Sequence, residues 1–435
     1  EGLYAPSNTN YQLVYGFAFG PRDIVWLMET PQLKELDLDY KSVLIRVDFN
    51  VPLRDGKVQS DARIKAALPT IQAVMGKNTR ITLASHCGRP RGQRNRKFSM
   101  EPIAQRLAEL VDAEVLLAED CIGDSVESLV KGQKSDQIIL LENLRFHAGE
   151  EENDVEFARK LARPHDAYIN DAFGVSHRAH ASVDGITQFI PECAAGFLLE
   201  REAEMITSLR QDVLPPFVAL IGGAKVADKI GVLDALMTRV NVLCIGGAMA
   251  YTFLSAKGES IGNSKVEANM LWTAKQIMER AAAYDVELLF PVDHVAMDEF
   301  TENAPVQIVS GTSLGTSAIG VDIGPKTLSL WSEHIKEAGT IFWNGPMGVF
   351  EWDSCAKGTV GIAQAVAQSD ATSVVGGGDS VAALEKAGVS QHISHVSTGG
   401  GASLEFLQKF LEGEAQGDMA SYLPGTATLM ESCVL

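Results

Sequence analysis

Cysteine is scarce in this chain: Cys87, Cys121, Cys193, Cys244, Cys355 and Cys433 are spread along 435 residues, and none belongs to a CxxC pair. That excludes a small disulfide-stapled scaffold and gives thiolate metal ligation little support; free thiols in a reducing compartment are the plain expectation. Long hydrophobic runs are missing as well, since no stretch approaches the roughly 18 apolar residues of a membrane span. No Walker A string occurs, nor a GxGxxG fingerprint with a following acidic ribose ligand at the first strand-to-helix turn of either half, which counts against a Rossmann dehydrogenase. Repeats with a period of about 20 to 50 residues and low-complexity tracts are also absent. Positive charge is in short supply: 37 Lys and Arg against 56 Asp and Glu leave a formal net charge of −19. A protein of that balance does not grip nucleic acid through a general positive surface, and any anion it binds must meet a local basic cluster.

What is present is a 46% hydrophobic chain of 435 residues, long enough for two ordinary cores. Short β-branched runs alternate with helical periodicity: VLIRV at 43–47, RITLAS at 80–85, QIILLE at 137–142 and AYIN at 167–170. After Pro215-Pro216 the pattern resumes with FVALI at 217–221, NVLCIG at 241–246, ELLF at 287–290, TIFW at 340–343 and TSVVG at 372–376. This grammar predicts an α/β protein in which each half holds a parallel sheet covered by helices. The expected organisation is an extension at 1–33, a first domain at 34–199, an interdomain helix and linker at 200–216, a second domain at 217–403 and a C-terminal segment at 404–435. The first 27 residues are aromatic-rich and lack a signal-peptide plan, with Met28 as a candidate start. Cys433 stands third from the end, not fourth, so the prenylation box is missing.

In parallel sheets ligands bind where strands end and loops turn into helices. In the first half these places carry Asp48 and Asn50 after the first strand, His86 and Arg89 after the second, Arg145 after a third and Arg178 after a fourth, with Arg63 opening a helical run. Arginine holds phosphate or carboxylate bidentately, so arginines converging on one sheet edge in an acidic protein point to a small anionic substrate. His177 and His180 follow closely, and Arg91, Arg94, Arg96 and Lys97 read as a solvated basic loop. In the second half the strand ends are glycine-rich: Gly222-Gly223-Ala224-Lys225 with Lys229 close behind, Gly246-Gly247, Asn344-Gly345-Pro346 leading to Glu351, Gly376-Gly377-Gly378-Asp379-Ser380, and Gly399-Gly400-Gly401. Small residues let backbone amides approach phosphates, a lysine neutralises them, and Asp379 supplies a carboxylate of the kind that Mg²⁺ with a nucleotide needs. Asp379 is equally suited to capping the helix that follows.

The strings RVDFNVP, SHCGRP, ENLRFH, DAFGVSHRAH, GGAKVADK, WNGPMGVFE, GGGDS and STGGGAS, in this order, resemble phosphoglycerate kinase from about Lys34 to Leu411. The resemblance implies a monomer of two doubly wound, Rossmann-like domains, one for 3-phosphoglycerate or 1,3-bisphosphoglycerate and one for Mg-ADP or Mg-ATP, with the last segment returning to the first domain. It implies that Asp48, Asn50, Arg63, His86, Arg89, Arg145 and Arg178 hold the acid substrate. For the nucleotide it implies Lys225, Lys229 and Asn344 near the phosphates, Gly246 and Gly320 near the base, and Glu351 on the ribose. Asp379 would meet Mg²⁺, and Gly377, Gly378 and Ser380 the phosphate end. Cys87, Ala248 and Ser380 depart from common family choices, and Glu414–Tyr422 looks inserted.

The implied chemistry is direct in-line phosphoryl transfer, with Lys225 and Arg63 as the catalytic charges and the amides of Gly399, Gly400 and Gly401 assisting. Substrates on separate domains imply closure about hinges near 198–216 and 397–403. No membrane or nucleic-acid partner is expected. The cytoplasm is the expected compartment, with an organellar isoform as the alternative; a non-catalytic relative of the same fold is the rival reading, which the intact set of charged residues disfavours.

Overall fold

The computed structural model describes residues 32–75 and 78–412. The first sheet is built from β1 (Ser42–Val47), β4 (Arg80–Ala84), β5 (Glu114–Leu117), β6 (Gln137–Leu140), β7 (Ala167–Asp171) and β8 (Glu192–Ala195), while β2 (Leu53–Arg54) and β3 (Lys57–Val58) form a small hairpin beside it. All pairings in the sheet are parallel, in the order β5-β6-β4-β1-β7-β8. The second sheet has the order β11-β10-β9-β15-β16-β17, again all parallel. Its strands are β9 (Phe217–Ile221), β10 (Val242–Ile245), β11 (Glu287–Leu289), β15 (Thr340–Asn344), β16 (Thr372–Gly376) and β17 (His395–Val396). A small antiparallel sheet of β12 (Asp293–Met297), β13 (Gln307–Ser310) and β14 (Ile319–Ile323) is inserted between β11 and β15.

Central strands β1, β7, β9 and β15 are buried at every position, because helices cover both faces, and so they read as near-continuous apolar runs. The strands that sequence pattern misses lack that signature. Edge strand β5 is only half covered, β8 is Glu-Cys-Ala-Ala, and β12 and β14 carry Asp or His among their apolar residues. The α/β architecture with two parallel-sheet domains stands as expected.

The interdomain helix begins earlier than its charged run suggests, spanning Phe197–Gln211. Its start is fixed by Asp171 at the end of β7, whose Oδ1 accepts hydrogen bonds from Leu198 N at 2.9 Å and Leu199 N at 3.4 Å. Burial pushes the Asp171 carboxyl up to about 7. One apolar core runs from the first sheet through Leu199, Ile206 and Leu209 of this helix to β9, and on to Phe406 and Leu407 of the helix Gly401–Glu412. Phe406 meets Phe173 of the first half edge to face, with ring centroids 6.1 Å apart. The beginning of the C-terminal segment therefore packs against both halves; residues 413–435 and 1–31, including the Met28 and Glu414–Tyr422 readings, lie outside the described residues.

Buried polar links join the same elements. Glu202, fully buried on the interdomain helix, accepts from Thr398 N at 2.6 Å and Thr398 Oγ1 at 2.8 Å, and pairs with His395 Nε2 at 2.9 Å. A carboxylate in such a place is tolerable only when its oxygens are satisfied. The loop after β17 is thereby locked to the helix joining the two halves.

Candidate active site

The C-terminal ends of β1, β4 and β7 and the loop after β6 bring the first group of residues together. Asp48, nearly buried, accepts from Arg63 Nη1 at 3.0 Å, and the same Nη1 lies 3.1 Å from Asn50 O. Asn50 Oδ1 accepts from Gly88 N at 2.8 Å, and Arg145 Nη1 donates to Gly88 O at 3.0 Å, so the turn after β4 is gripped from both sides. Asp48 also lies 3.9 Å from His86 Nδ1. His86 is held well below its ordinary value, first by burial and then by the positive charges of Arg46, Arg145 and Arg63, so it is a neutral ring. Burial likewise lowers Arg145, with Arg46 and Arg178 adding repulsion, and His180 is pushed down to about 3 by burial and then by Arg145. Arg89 and Arg178 are exposed, and Arg178 Nε donates to His177 Nε2 at 3.0 Å.

Behind this cluster stands a network that strand-end reasoning passed over. Arg46 is fully buried within β1; its Nε donates to Ser182 Oγ at 2.9 Å, and its Nη2 lies 3.3 Å from His86 Nδ1. Ser182 Oγ in turn donates to the buried Glu150 Oε1 at 2.6 Å. Because arginine can only donate, His86 Nδ1 accepts, and the ring proton sits on Nε2. The links of this network join residues 32 to 136 positions apart, and no local pattern announces them.

In the second half, two adjoining cavities open at the strand ends. One, of about 300 Å³, is lined by Gly222, Lys225, Asp228, Lys229, Asn344, Gly377, Gly378, Asp379 and Ser380 among others. Lys229 Nζ donates to Asn344 Oδ1. Burial lowers Lys229 to about 8, opposed by the nearby carboxylates of Asp228 and Asp379. Asn344 Nδ2 is buried and has no partner among the described residues, a donor left for something in the cavity. Gly377 takes a φ of +96°, a conformation open to glycine, and the helix Gly378–Ala387 begins immediately after it. Ser380 Oγ accepts from Gly345 N at 2.6 Å, fastening two glycine loops together.

The second cavity, of about 290 Å³, is more apolar and shares Gly223, Ala224, Pro346 and Asp379 with the first. Its other walls include Gly247, Tyr251, Phe300, Gly320, Met347 and Glu351. A side chain on Gly320 would overlap the ring and hydroxyl of Tyr251, which is itself held by His294 Nδ1 at 3.1 Å. Gly246 is packed against Met347 and does not line the cavity; its neighbour Gly247 does. Tyr251, Phe300 and Met347 were invisible as site residues, because apolar side chains in helices and loops look the same whether they face a ligand or a core.

The loop Ser397–Gly401 runs between the two groups. A Cβ on Gly174 would stand 3.6 Å from Thr398 O and would overlap Asp48 Oδ2, so the loop and that carboxylate approach the same glycine. Gly399 packs on the Phe173 ring, which leaves Gly400 and Gly401, with open space around their Cα atoms, as the accessible part of the loop. Two other features compete for notice and offer less. A cavity of about 720 Å³ lined by Lys57, Asp61, Arg106 and Glu385 has two of those charges already paired, with Arg106 Nη2 2.5 Å from Asp61 Oδ2, and Lys65 Nζ also lies 3.0 Å from Asp61 Oδ1. Asp120, Cys121 and His147 bring three ligand atoms within 4.8 Å of one another. His147 Nε2 is however bonded to Asp120 Oδ1 at 2.6 Å, and the Cys121 thiol, pushed well up by burial, donates to Glu142 O.

Residues 33–409 match the family model described as phosphoglycerate kinase. A phosphoglycerate kinase of Anaeromyxobacter sp. (strain Fw109-5) is 53% identical over 384 residues, covering 88% of this chain and 97% of that protein. One from Acidobacterium capsulatum is 50% identical over 391 residues, with 88% and 97% covered. Among solved structures, phosphoglycerate kinase from Coxiella burnetii superposes with a TM-score of 0.78 at 38% identity, covering 93% of this chain and 99% of that one. The Pyrococcus horikoshii enzyme gives 0.79 at 31% identity, with 93% and 100% covered.

Proposed function

The chain belongs to the phosphoglycerate kinase family, a phosphotransferase family whose reaction it catalyses, and from that premise we propose how its residues divide the work. The reaction is reversible transfer of a phosphoryl group from 1,3-bisphosphoglycerate to ADP, giving 3-phosphoglycerate and ATP, a step of glycolysis. The arginine and histidine cluster of the first half takes the phosphoglycerate, through Arg63, Arg89, Arg145 and Arg178 with Asp48, Asn50 and His86. The paired cavities of the second half take the nucleotide: phosphates against Lys225, Lys229, Asn344, Gly377, Gly378 and Ser380, base beside Gly320, ribose at Glu351. The observation that carries this reading is the junction of the two groups, where the loop bearing Gly399, Gly400 and Gly401 passes the strand end that holds Asp48.

In the forward direction a terminal oxygen of ADP attacks phosphorus as the bond to the carboxyl oxygen breaks, and the carboxylate leaves. Since that leaving group is already a good one, no covalent enzyme intermediate is required. Lys225, exposed at the cavity mouth, and Arg63, from the opposite half, supply charge to the oxygens of the transferring group. The neutral His86 donates through Nε2–H to an anionic oxygen without adding charge. Asp379 is an exposed carboxylate on the phosphate-like cavity, beside the unpartnered Asn344 amide, and a hard oxygen donor there suits Mg²⁺. When bound, Mg²⁺ would neutralise phosphate charge; the residues named do the positioning.

The two halves close on each other about the interdomain helix and the Ser397–Gly401 loop, excluding water from the transferring group. The protein works as a monomer in the cytoplasm. Among the described residues no helix is long and apolar enough to cross a membrane.

The deciding experiment is ATP- and Mg²⁺-dependent consumption of 3-phosphoglycerate by purified protein, coupled to an excess of a dehydrogenase that reduces the product. Turnover is expected to vanish without Mg²⁺. Calorimetric titration then assigns the halves: Arg145→Ala is expected to lose 3-phosphoglycerate binding and keep Mg-ADP binding. The opposite pattern would overturn the division of labour.

A further inference from the structure

Beyond His86, Gly88 and Arg89, the loop between β4 and the helix Glu101–Ala108 has no part in the site contacts described above. Within nine residues, 89–97, it carries Arg89, Arg91, Arg94, Arg96 and Lys97 and no acidic residue, in a chain whose formal net charge is −19. All five side chains are exposed, and among the described residues none of them makes an ion pair. Three carboxylates of the neighbouring segments already have partners. Glu142 accepts from Ser99 Oγ, Met100 N and Asn143 N; Asp120 is bonded to His147, and Glu151 lies 3.4 Å from Arg145 Nε.

This loop is also held in place over the first-half cluster. Gly92 N donates to Arg145 O at 3.1 Å, Asn143 Nδ2 to Phe98 O at 2.8 Å and to Cys87 O at 2.7 Å, and Phe98 covers Gly88. Arg94 is used up as an anchor, donating to Glu119 O with its guanidinium 6.0 Å from the Phe146 ring centroid. That leaves Arg91, Arg96 and Lys97, the last with its Nζ 5.8 Å from the Phe98 ring centroid, as exposed charges without an ion pair on a loop whose backbone is anchored at Arg145. Unpaired cations on an anchored loop, on a surface that otherwise repels anions, create a local attractive field.

We propose that Arg91, Arg96 and Lys97 are an electrostatic funnel for a small polyanion, the phosphorylated acid of the proposed first-half site, acting on its capture and not on the transfer step. The proposal rests on that site assignment. A ligand carrying both phosphate and carboxylate charge responds strongly to such a field, and the field weakens as salt shortens the Debye length from about 30 Å at 0.01 M to about 8 Å at 0.15 M. The nucleotide, arriving at the other half, gains little from it.

The test is the combined variant Arg91→Gln, Arg96→Gln, Lys97→Gln in the full chain, with steady-state kinetics from roughly 10 mM to 0.5 M ionic strength. At the low end kcat/KM for 3-phosphoglycerate is expected to fall roughly fivefold or more, with kcat and the KM for Mg-ATP unchanged, and the difference is expected to close at the high end. Equal kcat/KM at low salt, an equal loss for Mg-ATP, or a loss that persists at high salt would each overturn the funnel. Arg145→Ala separates the two layers of the argument: it is expected to lose phosphoglycerate binding at every ionic strength. If it binds normally, the site assignment fails and the funnel falls with it; if it fails to bind while the triple variant is unaffected, only the funnel is lost.

Discussion

The two halves of this molecule present similar scaffolds and opposite chemistries at their strand ends. In the first, the side chains of Arg63, Arg145, Arg178 and His86 gather near one another at the strand ends, and the backbone is mostly their support. In the second, Gly222, Gly320, Gly377 and Gly378 withdraw side chains so that backbone and two lysines line a long two-lobed cavity. On the division of labour proposed above, the difference follows from ligand size. A small, highly charged acid offers little surface and must be caught by guanidinium groups, whereas a nucleotide is long enough to be shaped by a groove whose walls are main chain.

Four changes would break or sharpen that contrast. The largest effect is expected for Lys225→Ala, which on the proposed mechanism removes a positive charge that faces the transferring phosphoryl group; kcat should fall roughly a hundredfold or more in the coupled assay, and a near-normal rate would remove Lys225 from the role. Next comes the junction between the halves. Glu202→Ala strips three partners from Thr398 and His395 in a buried place, and thermal or denaturant unfolding should show a loss of about 2 kcal/mol. An unchanged midpoint would mean that the loop is held by packing alone.

A smaller effect tests the backbone half. Gly320→Ala drives a methyl into the Tyr251 ring, so the KM for Mg-ATP should rise roughly tenfold, about 1.4 kcal/mol, while the KM for 3-phosphoglycerate stays put. An equal rise in both would mean that the second cavity is not reserved for the nucleotide. The smallest effect concerns pH. Lys229 is lowered to about 8 by burial, so its charge fades as pH rises through that value, and Mg-ADP affinity should drop a few-fold between roughly pH 7 and 9. Lys229→Arg should flatten that dependence. For folding the sign is opposite: between about 8 and the ordinary value of 10.5 the unfolded chain holds the proton more tightly, so this residue's contribution to stability rises with pH across that window.

Most of the frame was legible in the sequence because the central strands are buried on both faces. Val43–Val47, Phe217–Ile221 and Thr340–Asn344 could not be mistaken for solvated segments. The inserted antiparallel sheet was not legible, since β13 is exposed along most of its length and β12 owes its burial to a fold already formed around Asp293 and His294. The early start of the interdomain helix escaped for a similar reason: its capping carboxylate, Asp171, lies 27 residues before Leu198. Gly246 and Gly247 illustrate the limit at the site, since adjacent glycines of one loop face a buried Met347 and the open cavity respectively.

By itself the sequence determined the class of fold, the order of the strands that carry chemistry, and the residue types at their ends, because hydrophobic period and the needs of phosphate binding are local properties. Tertiary structure alone decided which of those residues meet. It set Arg46 behind His86 and so fixed the proton on Nε2, tied Glu202 to Thr398 across 196 positions, and left Asn344 with an unanswered donor. The physical reason is that protonation, orientation and unsatisfied hydrogen bonds depend on desolvation and on partners far along the chain, and neither exists until the sheets and the helix between them have packed.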